Sequence, residues 1–293
     1  MSINLPSHYV VEYSRNINLL LQQKGSKLRD TVTMGRHVGK QASPVDQIGA
    51  ISAQLVTGRY DPMGRVDAPV DRRWVFPSDY DLPQLIDSFD KLRLLTDPAS
   101  SYVTNAQNAM GRAMDDVIIA AMFADAKTGE AGGTTTSFPS GQQVLQTVGA
   151  SAATGLNVAK LRAAKRVLLA NECDLEAETP TVVITAKQHD DLLNEIQVIS
   201  DEFNRPVLGQ DGMVRNYMGF RFILCERLVT DGTYRRIPVY IKSGVHLGVW
   251  NDIQTSIDVR ADIQSRPWQA YCLGTFGATR IEEKKVVEIK CAE

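Results

Sequence analysis

The heptapeptide Gly35-Arg36-His37-Val38-Gly39-Lys40-Gln41 has the make-up of a phosphate-wrapping loop: glycines for close backbone approach and a lysine for charge. Its glycine spacing is one residue short, and Gln41 stands where a hydroxyl would hold magnesium. Gly129-Glu130-Ala131-Gly132-Gly133 is a second glycine cluster, but no strand is expected before it and no helix directly after it, so it does not fit a dinucleotide fingerprint. His189-Asp190-Asp191 gathers an imidazole and two carboxylates, the types needed for metal binding or proton transfer. They fall in the first turn of an expected helix, where acidic residues offset the helix dipole, and a solvated position is the expectation. The other histidines, His8, His37 and His246, have no partners at motif spacing. There is no Gly-x-Ser-x-Gly elbow, no His-Glu-x-x-His and no Cys-His signature. Cys173, Cys225, Cys272 and Cys291 are widely spaced and read as reduced packing residues without a zinc site. The sequence points to no enzyme, no cofactor and no metal.

The elements that carry these residues belong to a chain of 293 residues with 43% hydrophobic and 23% charged residues, enough for a large core without staples. The net charge of −2 does not suit a general nucleic-acid binder. No stretch has the apolar length of a membrane span, and the first residues lack the pattern of a secretory signal, so the product is expected to stay in the cytoplasm.

Residues 1–40 are basic, with Arg15, Lys24, Lys27, Arg29, Arg36 and Lys40 against Glu12 and Asp30. Val10, Tyr13, Ile17, Leu20, Leu21, Lys24 and Leu28 fit one helical face, which predicts an arm that packs on something else or a fraying terminal helix. The clearest helix is predicted over 104–126, where Ala106, Met110, Ala113, Val117, Ala120 and Ala124 repeat at helical spacing, capped by Thr104 or Asn105. The stretch after Gly129 reads as a surface loop. A second helix is predicted over Asn157–Asn171, with Val158, Leu161, Ala164, Leu168 and Leu169 inward and Lys160, Arg162, Lys165 and Arg166 outward. Thr181–Ile184 reads as a buried strand, and Thr185 with Gln188 forms a capping box for a third helix. Strands are predicted at Met218–Leu224, Val239–Ile241, Val245–Trp250, Ile253–Val259, Ala270–Arg280 and Lys285–Cys291. The alternation from Ile253 to Val259 marks a half-buried strand. The fold class is α+β.

Residues 41–96 differ from the rest. Asp61-Pro62-Met63-Gly64 has turn chemistry, Pro69, Pro77 and Pro83 punctuate the stretch, and strand-like runs flank the turn at Ile48–Tyr60 and Arg72–Phe76. This predicts a long two-stranded excursion, and an isolated hairpin needs a surface to lie on.

This order of parts resembles the tailed-phage major capsid protein family with the Hong Kong phage-type capsid fold. The closing segments MGFRFILCERL, KSGVHLGVWNDIQTSIDV and YCLGTFGATRIEEKKVVEIKC carry the family's cadence, including Gly277-x-x-Arg280 before Val286. The resemblance implies an N-terminal arm at 1–40 and an extended hairpin, the E-loop, at 41–82. It implies a P-domain at 83–179 and 263–293 with its spine helix at 104–126, and an A-domain at 180–262. It also implies contacts between subunits through Arg59, Tyr60, Asp61, Met63, Arg65, Arg72, Arg73 and Trp74 of the E-loop and Arg15, Lys24 and Lys27 of the arm. The arginines are expected to pair with a neighbour's carboxylates. Some family members cross-link subunits through an E-loop lysine, but no lysine occurs between Gln41 and Asp90, so no such covalent bond is expected.

The function that follows from the resemblance is self-assembly of pentamers and hexamers into an icosahedral head shell around double-stranded DNA, without sequence-specific binding. Expected partners are a separate scaffolding protein, a portal and a decoration protein. The basic arm faces either packaged DNA or the scaffold. Two rivals share parts of this pattern: a bacterial nanocompartment shell of the same fold, and a soluble α+β enzyme.

Overall fold

The computed structural model describes residues 20–39, 42–55, 58, 64–86, 99–199 and 212–293. Strands β1 (Thr33–Arg36), β2 (Ala42–Ile48), β3 (Val70–Val75) and β4 (Ser78–Ile86) precede the long helix α1 (Ala99–Phe123). The short strands β5 (Ala126–Thr128), β6 (Thr134–Thr136) and β7 (Gln143–Val144) lead to α2 (Val158–Ala170). Strand β8 (Thr181–Ile184) is followed by α3 (Ala186–Leu193) and the single turn α4 (Ile196–Ile199). The remainder is β9 (Asn216–Tyr217), β10 (Phe220–Leu224), β11 (Thr230–Asp231), β12 (Tyr234–Tyr240), β13 (Val245–Val259), β14 (Trp268–Arg280) and β15 (Val286–Ala292).

The chain divides into two compact units. One comprises Met1–Ser26, Ser78–Asp115 and Trp250–Phe276; the other comprises Lys27–Pro77, Asp116–Val249 and Gly277–Glu293. In the first unit β4 pairs antiparallel with β14, from Trp268↔Ile86 to Phe276↔Ser78. The period of two sends Ala270, Cys272 and Gly274 to one face of β14, and the absent side chain of Gly274 makes room for Met110 of α1. Tyr80 stacks on Phe276 across the pair, with ring centroids 4.6 Å apart.

In the second unit the main sheet has the order β7-β15-β12-β8-β10-β9, with β11 alongside β12. Its centre is β-branched and dry: Val182, Val183, Ile184, Ile237, Val239, Val286, Val287 and Ile289 are all fully buried. Helix α2 lays Leu161, Ala164 and Leu168 into this core, capped by Asn157, whose side chain accepts from the Lys160 backbone N–H. The capping box of Thr185 and Gln188 starts α3. A second sheet has the order β2-β3-β5-β6.

Several sequence expectations change. The long helix runs from Ala99 to Phe123, not from 104 to 126. Thr104 and Asn105 therefore lie inside it. It stops early because Ala126 is taken into β5 and buried. Residues 20–28, expected on a helical face, form no helix, and the rest of that face (Val10, Tyr13, Ile17) lies outside the described residues. Ile48–Tyr60 was read as a strand, but strand pairing ends at Ile48. The two strands expected at Val245–Trp250 and Ile253–Val259 are one, and its second half is not half-buried: Ile257 and Val259 remain 39% and 45% exposed, because no described layer covers that end. Strand β15 pairs along its whole length with β12.

Gly277 leaves no room for a side chain: a Cβ there would sit 2.1 Å from the Phe76 carbonyl oxygen. Gly277→Ala is expected to destabilise the fold by about 2 kcal/mol, through a backbone shift. A lower urea midpoint at unchanged slope is the readout.

Candidate functional site

The excursion between β2 and β3 is clamped at its base, and most of its described residues are exposed. Ile48 pairs with Val70, and the Gly49 N–H donates to the Pro69 carbonyl at 2.7 Å. Beyond this point the described residues form no strand. Ile48, Ile51, Leu55 and Val70 are 62–87% exposed. Each such side chain gains about 1.5–3 kcal/mol when fully buried, so this row is a surface waiting for cover. Arg65 pairs with Asp67 at 2.7 Å in full solvent.

The clamp continues inward through charge. Arg72 bonds Asp46 of β2 at 2.6 Å and lies 5.8 Å over the Trp74 ring. Trp74 Nε1–H donates to the Gly129 carbonyl at 2.7 Å. Arg73 is 4% exposed and bonds Glu283 at 2.9 Å. Glu283 also lies 3.7 Å from Arg280, which has no solvent access at all. The Arg280 guanidinium donates to the carbonyls of Met122 and Ala124, each at 2.9 Å, and to that of Thr136 at 3.3 Å. It thereby caps the C-terminal carbonyls of α1, which have no partner within the helix. Burial pulls its pKa below the ordinary arginine value, and Glu283 offsets part of that.

In the first unit residues 22–26 cross α1 as a polar strap. Gln23 and Ser26 both donate to the buried carboxylate of Asp115. The Gly25 N–H donates to Asn108 Oδ1 at 3.0 Å, and Arg112 reaches Gln22 Oε1 at 2.7 Å. Gly25 has φ +64°, and a Cβ on Gly111 would strike its backbone at 2.5 Å, so glycine is needed on both sides of the crossing.

Of the expected contact residues, Arg15, Arg59, Tyr60, Asp61 and Met63 lie outside the described residues. Lys24 is exposed, and Lys27 Nζ donates to the Leu224 carbonyl at 2.7 Å. Arg73 is buried and bonds Glu283 of its own chain. Lys160 is corrected. Expected outward, it is fully buried, with Nζ donating to the carbonyls of Thr154, Gly155 and Lys290 at 2.6, 2.9 and 3.0 Å, while Leu169, expected inward, is 54% exposed.

The motif-like stretches dissolve into structure. Gly35 and Arg36 sit in β1, paired parallel with β13. His189 Nε2 accepts from the Val214 N–H, and Asp191 accepts from the Leu156 N–H and Lys187. Among the described residues no group of three or more His, Cys, Asp or Glu could hold a metal, all four cysteines are free, and no helix is long and apolar enough to cross a membrane. Sequence reasoning missed the pair His37 and His246, whose Nε2 atoms lie 2.9 Å apart although the residues are far apart in sequence. Burial, then the nearby His37, holds the His246 pKa down at about 4.

An α+β subunit with a long helix, a buried central sheet and an uncovered apolar excursion has the Hong Kong phage-type capsid fold, the build of a shell subunit. The sequence matches the family described as phage capsid protein over residues 5–293, and the chain belongs to that family. Its structure is similar to the capsid of the cyanophage P-SCSP1u (TM-score 0.75, 15% identity, covering 97% of this chain and 93% of that one). It is also similar to the capsid of the cyanophage Pam1 (0.73, 14%, 99% and 98%) and to a chain of Mycobacterium phage Che8 (0.69, 13%, 99% and 98%). No curated protein matches the sequence. The chain is a structural major capsid protein of a tailed phage, a component of the virion shell that assembles with itself and is not an enzyme.

Replacing Arg280 with methionine leaves three carbonyls unpartnered and Glu283 with Arg73 alone, and a loss of about 3–5 kcal/mol is expected; denaturant unfolding reads it. His246 gives a pH dependence. Its imidazole is ordinary in the unfolded chain, titrating near 6.5, and titrates at about 4 when folded, so the folded state binds fewer protons between these values. Stability is therefore full above about pH 6.5 and falls as the pH drops towards about 4, by up to about 3 kcal/mol. His246→Gln should flatten this slope in urea titrations at pH 7 and pH 5.

Proposed function

We propose that the excursion between Gly49 and Pro69 acts as the E-loop, draping over an adjoining copy, and that the polar strap at residues 22–26 orients the N-terminal arm. The observation that carries this reading is the exposed apolar row Ile48, Ile51, Leu55 and Val70 on a base too narrow to cover it. An apolar excursion of this kind gains stability from a surface supplied by something else. Repeating one heterologous contact with small adjustments gives pentamers and hexamers, and many modest contacts together close an icosahedral shell.

In this reading α1 is the spine of the P-domain, which also takes β4 and β14, and the β8–β12 region is the core of the A-domain. Arg59, Tyr60, Asp61, Met63 and Arg65 supply E-loop contacts, with Arg72 and Trp74 stiffening the base, and Arg15, Lys24 and Lys27 give the arm its charge. Assembly takes place in the host cytoplasm with a separate scaffolding protein and a portal, and a decoration protein binds outside. The shell encloses double-stranded DNA without reading its sequence, consistent with a net charge of −2.

Negative-stain microscopy and sedimentation of the purified chain test this. Rings or uniform polyhedral particles are expected. Ile51→Asp with Leu55→Asp should leave the circular dichroism spectrum and thermal midpoint unchanged and abolish particles. Particles that form as readily with the charged variant would exclude the excursion as the contact.

A further inference from the structure

Helix α2 carries four cations and no anion in its thirteen residues, Val158 to Ala170. Lys160 points into the core, and Lys165 Nζ is held by the Met218 carbonyl at 2.9 Å. Arg162 and Arg166 are exposed, and neither meets a carboxylate among the described residues. They flank a groove of about 510 Å³ whose apolar lining includes Val148, Leu169 and Met218.

The loop that leaves α2 has the opposite character. Glu172, Asp174 and Glu176 are exposed. Asp174 Oδ1 accepts from the backbone N–H groups of Glu176 and Ala177 at 3.1 and 3.0 Å, which fixes the loop's shape. The carboxylates of Glu172 and Glu176 have no cationic partner among the described residues. Glu172 has φ +59°. It is the residue just past the helix end, its N–H bonded to the Leu169 carbonyl at 3.0 Å and that of Cys173 to the Leu168 carbonyl at 3.1 Å, a position where glycine is the unstrained choice. A strained backbone that holds out a carboxylate with no partner among the described residues marks a group used elsewhere.

We propose that the groove beside α2 receives the acidic loop Glu172–Glu176 of a second copy of this chain, Arg162 and Arg166 pairing with Glu172 and Glu176 over the apolar floor. The proposal rests on the shell reading above and names one of its contacts. Copies that associate head to tail need two different, complementary patches on the same chain, and these two are complementary in charge. The apolar floor separates this from a phosphate-tracking surface, which calls for a longer run of free cations than two arginines.

The test measures assembly of the full-length chain by sedimentation and negative-stain microscopy across protein and salt concentrations. Glu172→Gly is the decisive variant, because glycine relieves the backbone: it should melt no lower than the parent yet require about tenfold more protein to assemble, since the lost pair is repeated at every contact. Arg162→Glu with Arg166→Glu, and Glu172→Lys with Glu176→Lys, should each block assembly at low salt. The chain carrying all four reversals should assemble again. Normal assembly of Glu172→Gly and of both double variants overturns the proposal. So does normal assembly of the arginine variant with loss of retained nucleic acid, which would assign the groove to phosphates. If the parent chain itself stays monomeric, the shell reading has failed and the contact falls with it.

Discussion

A guanidinium cut off from water has to be surrounded by acceptors, and Arg280 organises the second unit around that demand. Its donors are used on the last carbonyls of α1 and on the carbonyl of Thr136 in β6, and its remaining edge faces Glu283. Glu283 in turn holds Arg73 of β3. One buried cation therefore fixes where the long helix ends, where the β5–β6 hairpin sits, and where the base of the excursion leaves the body. Gly277, three residues earlier, lets β14 approach Phe76 closely enough for this network to close.

The energetics divide along the excursion. Its base combines strand pairing with three arginine–carboxylate or indole–carbonyl contacts, and so has one geometry. Ile48, Ile51, Leu55 and Val70 keep apolar side chains in water, so their gain in free energy is deferred until a second surface arrives. The polar strap on α1 follows a similar logic with different chemistry: Asp115 and Asn108 fix residues 22–26 through hydrogen bonds that depend on geometry more than on buried area.

The elements whose signals are local were legible in the sequence. The capping box at Thr185, the buried run Thr181–Ile184 and the existence of the long helix all follow from spacing and turn residues. What was not legible depends on partners remote in the chain. Nothing near Lys160 announces that carbonyls of Thr154, Gly155 and Lys290 will converge on it, so helical spacing alone put it outside. The Arg73–Glu283 bond was not legible either, because its partners lie 210 residues apart. The end of β13 alternates as a half-buried strand should, yet alternation says only that one face is apolar, not that anything within the chain covers it.

Buried ions are a poor route to stability, since hydrophobic replacements of similar volume often do as well or better. Their use here at Arg280, Arg73, Lys160 and Glu288 makes sense for a subunit that must meet copies of itself many times. Each contact in a shell has to be weak enough to correct errors, so the accuracy of the angle between contacts has to come from inside the subunit. Apolar packing tolerates small rotations, whereas a cation shared among three carbonyls tolerates little, because a misplaced acceptor leaves a charge unsolvated. The dry β-branched sheet supplies the stability that such ions consume, and Arg280 and Arg73 fix the direction in which the excursion leaves the body.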